Sequence, residues 1–262
     1  MSDSKVELVL NGAVALVRIN DPATMNALPL STVESLSAAV AQAQGSARAL
    51  VLTGIDRAFS SGASLTAESL TFGPDGLDVG KGLETHYNPL MRQLRELSIP
   101  WISAVNGAAA GIGCSLALAA DLIVAGESAY FLQAFRRIGL VPDGGSTLLL
   151  AQAAGRVRAM EMMLLGEKLP AAKALEWGLI NRLVPDAEVE SVALALAEEL
   201  AAGPTVALGL IRKAAWAAME TSSWDEVLQT ERTLQTQAGR TADFMEGVMA
   251  FREKRLANFR GA

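Results

Sequence analysis

The chain has 262 residues, with 22 Lys plus Arg against 28 Asp plus Glu, for a net charge of −6. That balance excludes a general nucleic-acid binder, which presents a basic face. Hydrophobic residues at 51% and charged ones at 19% exclude a disordered chain. A single cysteine, Cys114, and a single histidine, His86, exclude a disulfide framework and a Cys- or His-rich metal site.

In chain order, Val6–Leu10 and Ala13–Ile19 are apolar runs joined by Asn11-Gly12, a strong hairpin signal whose two turn positions call for positive φ. Ser31 with Glu34 reads as a capping box opening an Ala-rich helix to about Gln44. Ala49–Thr53 has strand length, and Gly54–Ser64 leaves it as a loop of small residues. Thr71–Lys81, rich in glycine, reads as a surface segment, and Leu83–Leu97 has helical spacing. Trp101–Val105 is a second buried strand, followed by Asn106–Gly113 and a helix over Cys114–Ala120. The uncharged stretch Leu97–Ala120 is long enough to cross a bilayer. Pro100, Asn106 and three glycines instead make it strand, turn and helix. Leu122–Ala125 is a third strand, and Gly139–Ser146 is a glycine-rich turn into a helix. Beyond it almost everything reads as helix, with breaks at Gly155, Gly166, Gly178 and Gly203. The expectation is an α/β core over residues 1–200 and a helical segment over 201–262. Met1–Leu10 has acidic residues and no signal-peptide layout, so a soluble cytoplasmic protein is expected.

Three loops share one design. Phe59–Ser64, Gly107–Gly113 and Pro142–Ser146 each leave an apolar run, consist of small residues and enter a helix. Small residues let a ligand approach the backbone, and helix N-termini present unpaired N–H groups. Such groups hold a phosphate or stabilise a developing oxyanion. No Lys follows in the phosphate-loop pattern, the glycine spacing is not that of a dinucleotide fold, and no GxSxG is present.

Taken together and in order, these segments resemble the crotonase superfamily, also called the enoyl-CoA hydratase/isomerase family. The resemblance is carried by Phe59-Ser60-Ser61-Gly62-Ala63, by Ala104–Gly113 running on to Leu116 and Asp121, and by Ile138–Thr147. Met25–Leu28, Ala174–Ile180, and Glu246-Gly247 with Phe251–Arg255 also fit. It implies a spiral of β-β-α repeats with a C-terminal helical region, assembled as a homotrimer or homohexamer. It implies an acyl-CoA substrate, with no cofactor beyond the coenzyme A that the substrate carries, and no metal, nucleic acid or membrane. By position the N–H groups of Ala63 and Ile112 would form the oxyanion hole for the thioester enolate. Asn26, Ala27, Leu28, Ser61, Gly62, Ser64, Leu65, Gly111 and Lys254 would bind CoA, with Arg255, Arg57 and Arg18 as further phosphate candidates. Ser115, Leu116, Phe135, Leu140 and Pro142 would line the acyl pocket. The family often has Asp after the Gly-Ala of the first loop; here it is Ser64.

The resemblance also bears on the reaction. Hydratases of the family place two glutamates over the substrate, and the matching positions here are Ser115 and Phe135. Neither is a general base at neutral pH. Asp143 stands where isomerases of the family carry an acid, and one base suffices for a 1,3-proton shift. Phe135, Leu140 and Val141 would exclude water from the enolate. On local sequence alone Asp143 is a helix N-cap, a role in which the helix dipole would hold it ionised. The reading is therefore an enoyl-CoA isomerase with Asp143 as catalytic proton shuttle. Its rivals are a hydratase-like enzyme, a thioester hydrolase or a dehalogenase. In the last two, Asp143 would be nucleophile or base and His86 a helper. A non-catalytic acyl-CoA- or RNA-binding member is the remaining rival. His86 otherwise reads as a surface residue, Trp101 and Trp177 as core, and Cys114 as a buried small hydrophobe. Glu68, Asp75, Asp78 and Glu84 lie in or beside the glycine-rich segment.

Overall fold

The computed structural model describes residues 5–64, 71–73 and 76–262. Leu65, Glu68 and Asp75 lie outside them. Twelve strands are present among the described residues: β1 Val6–Asn11, β2 Val14–Ile19, β3 Ala49–Gly54, β4 Ala58–Ser60, β5 Thr71–Gly73, β6 Gly76–Asp78, β7 Trp101–Val105, β8 Ala108–Ala110, β9 Leu122–Gly126, β10 Tyr130–Leu132, β11 Lys168–Pro170 and β12 Arg182–Val184. The α-helices are α1 Leu30–Ser46, α2 Gly80–Gly82, α3 Asn88–Arg95, α4 Ile112–Leu118, α5 Ser146–Ala154, α6 Arg156–Leu165, α7 Ala171–Glu176, α8 Val189–Ala202, α9 Thr205–Glu220, α10 Trp224–Ala238 and α11 Ala242–Glu253.

A six-stranded sheet runs β1-β2-β3-β7-β9-β12, and a four-stranded sheet runs β11-β10-β8-β4. Three central parallel strands of the large sheet each feed a short parallel strand of the small one: β3 into β4, β7 into β8, β9 into β10. This is the expected β-β-α spiral. The long strands read as unbroken apolar runs because both sheet faces are covered. Alternation sends Ala15, Val17, Ile19, Leu50 and Leu52 into a core shared with Val33, Leu36 and Val40 of α1. It sends Val14, Leu16, Ala49 and Val51 into a second core against Val189, Ala193 and Ala197 of α8.

Several local expectations are corrected. The hairpin turn is Gly12-Ala13, because Asn11 pairs with Val14 and only Gly12 has positive φ. Ser31 lies inside α1 rather than capping it; the N-cap is Pro29, with no side-chain bond. Pro29 ends the extended approach two residues earlier than the polar pair suggested. The loops after β3 and β7 contain β4 and β8, too short to show a period. β10, β11 and β12 are missed for the same reason. Within the glycine-rich segment, β5 and β6 pair antiparallel. Between α2 and α3 the helix takes a π turn over Leu83–Tyr87.

The C-terminal helices are pinned to the core by a buried ion pair. Arg212 of α9 donates to Asp121 at 2.5 Å, to the Leu94 carbonyl at 3.0 Å and to the Leu97 carbonyl. Asp121 also accepts the Trp101 N–H at 2.8 Å. Burial pushes the Asp121 carboxyl up, and Arg212 opposes that. Arg212→Ala leaves a buried carboxylate unpaired and is expected to cost about 3–5 kcal/mol. Urea unfolding at neutral pH checks this; a loss below about 1 kcal/mol would mean water replaces the guanidinium. Among the described residues no single helix is long and apolar enough to cross a membrane.

Candidate active site

The first loop follows β4. Ser60 is fully buried and donates to the Asn26 carbonyl at 2.8 Å, while its hydroxyl accepts the Gly62 N–H at 3.2 Å. The Leu28 N–H donates to the Gly62 carbonyl at 2.8 Å, and Leu28 pairs with Ala63 as a parallel bridge. Gly62 has φ +95°, and a Cβ there would lie 2.6 Å from the Ala110 carbonyl oxygen and 3.6 Å from Gly111 Cα. The second loop therefore touches the first. Gly111, at φ +54°, caps α4 and donates its N–H to the Leu132 carbonyl at 2.9 Å. Ala63 and Ile112 each follow this contact by one residue. Among the described residues neither N–H donates to a protein acceptor.

The third loop brings Asp143. Its carbonyl accepts the Ser115 hydroxyl at 2.9 Å, the Ser146 hydroxyl at 3.0 Å and the Ser146 N–H at 3.2 Å. Its carboxylate Oδ1 is buried and has no hydrogen-bond partner. Burial raises the carboxyl to about 6. The N-cap reading is corrected: α5 begins at Ser146 with Gly145 as its cap, so the carboxylate caps nothing. The expectation that the helix dipole keeps the acid strong is corrected with it, because desolvation dominates. A buried carboxylate oxygen with no partner calls for an explanation, and a catalytic role is one. An acid poised near neutrality suits general base work.

A family model described as enoyl-CoA hydratase/isomerase matches residues 10–262. The chain belongs to the enoyl-CoA hydratase/isomerase family. A probable enoyl-CoA hydratase of Rhodobacter capsulatus is 42% identical over 261 residues, covering 100% of both chains. The 1,2-epoxyphenylacetyl-CoA isomerase of Escherichia coli is 46% identical over 214 residues, covering 82% of this chain and 81% of its own. The solved enoyl-CoA hydratase of Bacillus anthracis superposes with a TM-score of 0.90 at 28% identity, covering 98% of this chain and 100% of that one.

At the two positions where the resemblance places hydratase glutamates, this family member has no carboxylate. Ser115 is fully buried and spends its hydroxyl on the Asp143 loop. Phe135 is buried, with its ring tip 4.0 Å from where a Gly111 Cβ would sit. Gly144, at φ +61°, lets the third loop press on Ile112 and Ser115: a Cβ there would be 2.4 Å from Ile112 Cδ1 and 2.8 Å from Ser115 Cβ.

Other predicted residues distribute differently. Asn26 is fully buried, with Nδ2 donating to the Ile55 and Ala58 carbonyls at 2.8 and 2.6 Å and Oδ1 accepting the Asp21 N–H at 2.9 Å. It shapes the loop and offers CoA nothing. Ala27 is half-buried, and its N–H donates to the Thr24 hydroxyl at 3.2 Å. Ser61 donates to the Thr24 carbonyl at 2.9 Å. Ser64 is half-buried. Leu116 belongs to the core rather than to a pocket. Pro142 is half-buried, but Leu140 is 37% and Val141 80% exposed, so in this chain they do not shut out water.

Lys254 sits in the left-handed cap of α11, exposed and away from the three loops in sequence. Arg255 is bound to Glu246 at 2.6 and 2.9 Å and to Glu253 at 2.6 Å, and Arg18 to Glu190 at 2.6 and 2.9 Å. Neither is a free cation for phosphate. His86 contacts Glu34 at 3.0 Å and Thr85 at 2.7 Å, on the outer side of its turn. Asp78 caps the N–H groups of Gly80 and Lys81. Trp101 and Trp177 are core, and burial pushes the Cys114 thiol up to about 12.

Sequence reasoning missed Tyr87, a buried phenol that feels the Asp143 charge and donates to the Leu28 carbonyl at 2.5 Å. The spacing of Tyr87, Leu90 and Leu94, all buried, was the available signal. A cavity of about 240 Å³ lies beside the third loop, lined by Gly144, Gly145, Leu148, Asn88, Met91 and Trp216 among others. The residues expected to line the acyl pocket do not line this cavity.

Proposed function

We propose that the chain is an acyl-CoA isomerase that moves one proton through a thioester enolate. The observation that carries this is the lone Asp143 carboxyl, its Oδ1 buried without a partner and its pKa raised to about 6, in a chain with a Ser and a Phe at the hydratase positions. The thioester carbonyl binds the Ala63 and Ile112 N–H groups. Asp143 removes a proton from the α-carbon of a 3-enoyl thioester, and the electron pair moves onto the carbonyl oxygen. The two N–H groups hold that oxyanion. Asp143 then returns the proton two carbons away, giving the conjugated thioester with no change of mass. The acyl group is a straight-chain 3-enoyl or an aromatic-derived ring system; the Escherichia coli relative's name supports the second. Lys254 and Arg57 are the candidates for the CoA phosphates. Exposed Phe244, Met245, Met249, Phe251 and Leu256 support self-association through residues 201–262, as a trimer or a hexamer.

The hydratase reading rests on the name of the Rhodobacter capsulatus relative. Purified protein given a 3-enoyl-CoA, a ring-epoxide arylacetyl-CoA and a 2-enoyl-CoA separates the two. Isomerisation of either of the first two, with no water added to the third, is expected. Rapid hydration of the 2-enoyl thioester would overturn the isomerase reading.

Ser115→Ala removes one of the hydroxyls that hold the Asp143 carbonyl. A lost bond of about 1–2 kcal/mol implies a fall of about 5–30-fold in kcat with KM little changed. Steady-state kinetics check this; an unchanged kcat would show that Ser146 holds the loop unaided.

A further inference from the structure

Tyr87 has no part in the mechanism above. It is 5% exposed and closes the π turn that interrupts the helix before α3. Such turns re-aim a side chain and occur frequently at functional sites. Its hydroxyl donates to the Leu28 carbonyl at 2.5 Å. Leu28 in turn donates its N–H to Gly62 at 2.8 Å and bridges to Ala63. The phenol thus grips the main chain that carries the first oxyanion donor. Burial first, and then the charge of Asp143, push the phenol up to about 12. The hydroxyl stays protonated through the physiological range with its one proton committed to Leu28. It has none to give a substrate, so an acid or base role is excluded.

We propose that Tyr87 is a positioning residue that fixes the Ala63 N–H relative to the Asp143 carboxylate through the Leu28 carbonyl. The proposal rests on the roles assigned above to Ala63 and Asp143. Its chemical sense is geometric. Oxyanion donors work at about 2.7–3.1 Å from the charged oxygen, and a misplacement of about 1 Å costs about a hundredfold. The enolate exists only while base and donors engage the same substrate, so a phenol bonded to the main chain of the first donor and within reach of the Asp143 charge is placed to keep them in register.

Two readouts test it, neither needing the true substrate. The chain has two tyrosines, Tyr87 and Tyr130. Fluorotyrosine incorporated into the Tyr130→Phe protein therefore places a single fluorine label at position 87. Its ¹⁹F resonance is expected to titrate near pH 6 with Asp143 and to stop titrating in Asp143→Asn. A titration that persists in that variant does not come from Asp143 and overturns the proposal, as does no titration at all. Second, a bound arylacryloyl-CoA absorbs further to the red as its thioester carbonyl is polarised. Tyr87→Phe is expected to lose at least about half of that red shift. With a turned-over substrate, kcat falls about 10–100-fold and KM stays within about threefold. An unchanged red shift and kcat would overturn the proposal. If no substrate of the panel turns over, the isomerase reading fails while the fluorine titration and the red shift still decide the role of Tyr87. The fluorine arm keeps the native phenol in place, so it holds even if Tyr87→Phe misfolds.

Discussion

Asp143→Asn is expected to lower kcat by about 10²–10⁴-fold, the usual worth of a placed general base, with acyl-CoA affinity little changed. Asn keeps the shape and the main-chain bonds to Ser115 and Ser146. It cannot accept the α-proton. The pH profile carries the same information. The folded carboxyl is raised to about 6, so below that it is protonated and useless as a base. In the wild type kcat/KM rises with pH through about 6 and is flat above; the variant loses that limb.

Stability moves the other way. The folded carboxyl lies above its ordinary 3.8, so the fold binds the proton more tightly than the unfolded chain does. The stability linked to that proton is full below about pH 4 and is lost as pH rises through about 6. At pH 8 the ionised acid costs the fold about 1–3 kcal/mol, from about 1.4 kcal/mol per pH unit. Asp143→Asn is therefore expected to be inactive yet more stable at pH 8, with no gain at pH 4. Thermal melts at the two pH values check the sign. A variant equally destabilised at both would assign Asp143 a structural role.

Gly62→Ala is the second large effect. The new Cβ would sit 2.6 Å from the Ala110 carbonyl oxygen, at φ +95°. Both partners are backbone, so neither rotates away. The methyl wedges the Ala63 loop from the segment that carries Ile112, and these are the two proposed donors. Losing one donor costs about 10²–10³ in rate, so kcat/KM is expected to fall at least that far. The rise with pH through about 6 should remain, because Asp143 is untouched. Gly45→Ala is the control, since its Cβ meets nothing within 4 Å inside α1. It is expected to stabilise by about 0.5–1 kcal/mol with full activity. Full activity in Gly62→Ala would remove the first loop from the mechanism.

What the sequence made legible followed from physics with a long reach. Apolar runs marked β2, β3, β7 and β9 because a doubly covered sheet needs them. Small residues marked the three loops because backbone touches backbone there, as at Gly62 and Gly144. The short strands β4, β8 and β10 were illegible, since three residues carry no period and their pairing partners lie far away in sequence. Asp143 stood out, but its character did not: a cap and a buried base share one local sequence. Only the placement of Gly145 as the cap of α5 separates them. His86 drew notice as the sole histidine, while Tyr87, one residue on, is the buried one. The spacing of Tyr87, Leu90 and Leu94 marks that face but not the π turn that Tyr87 closes.

The most direct test of the single-base account is the mass of the product formed from a 3-enoyl-CoA carrying deuterium at its α-carbon. The account predicts a conjugated 2-enoyl thioester of unchanged skeleton mass. Deuterium is either retained at the new position or lost one for one to solvent protons. With Asp143→Asn this product forms at least about a hundredfold more slowly. A product heavier by one water, or an Asp143→Asn protein that makes the conjugated thioester at the wild-type rate, would contradict it.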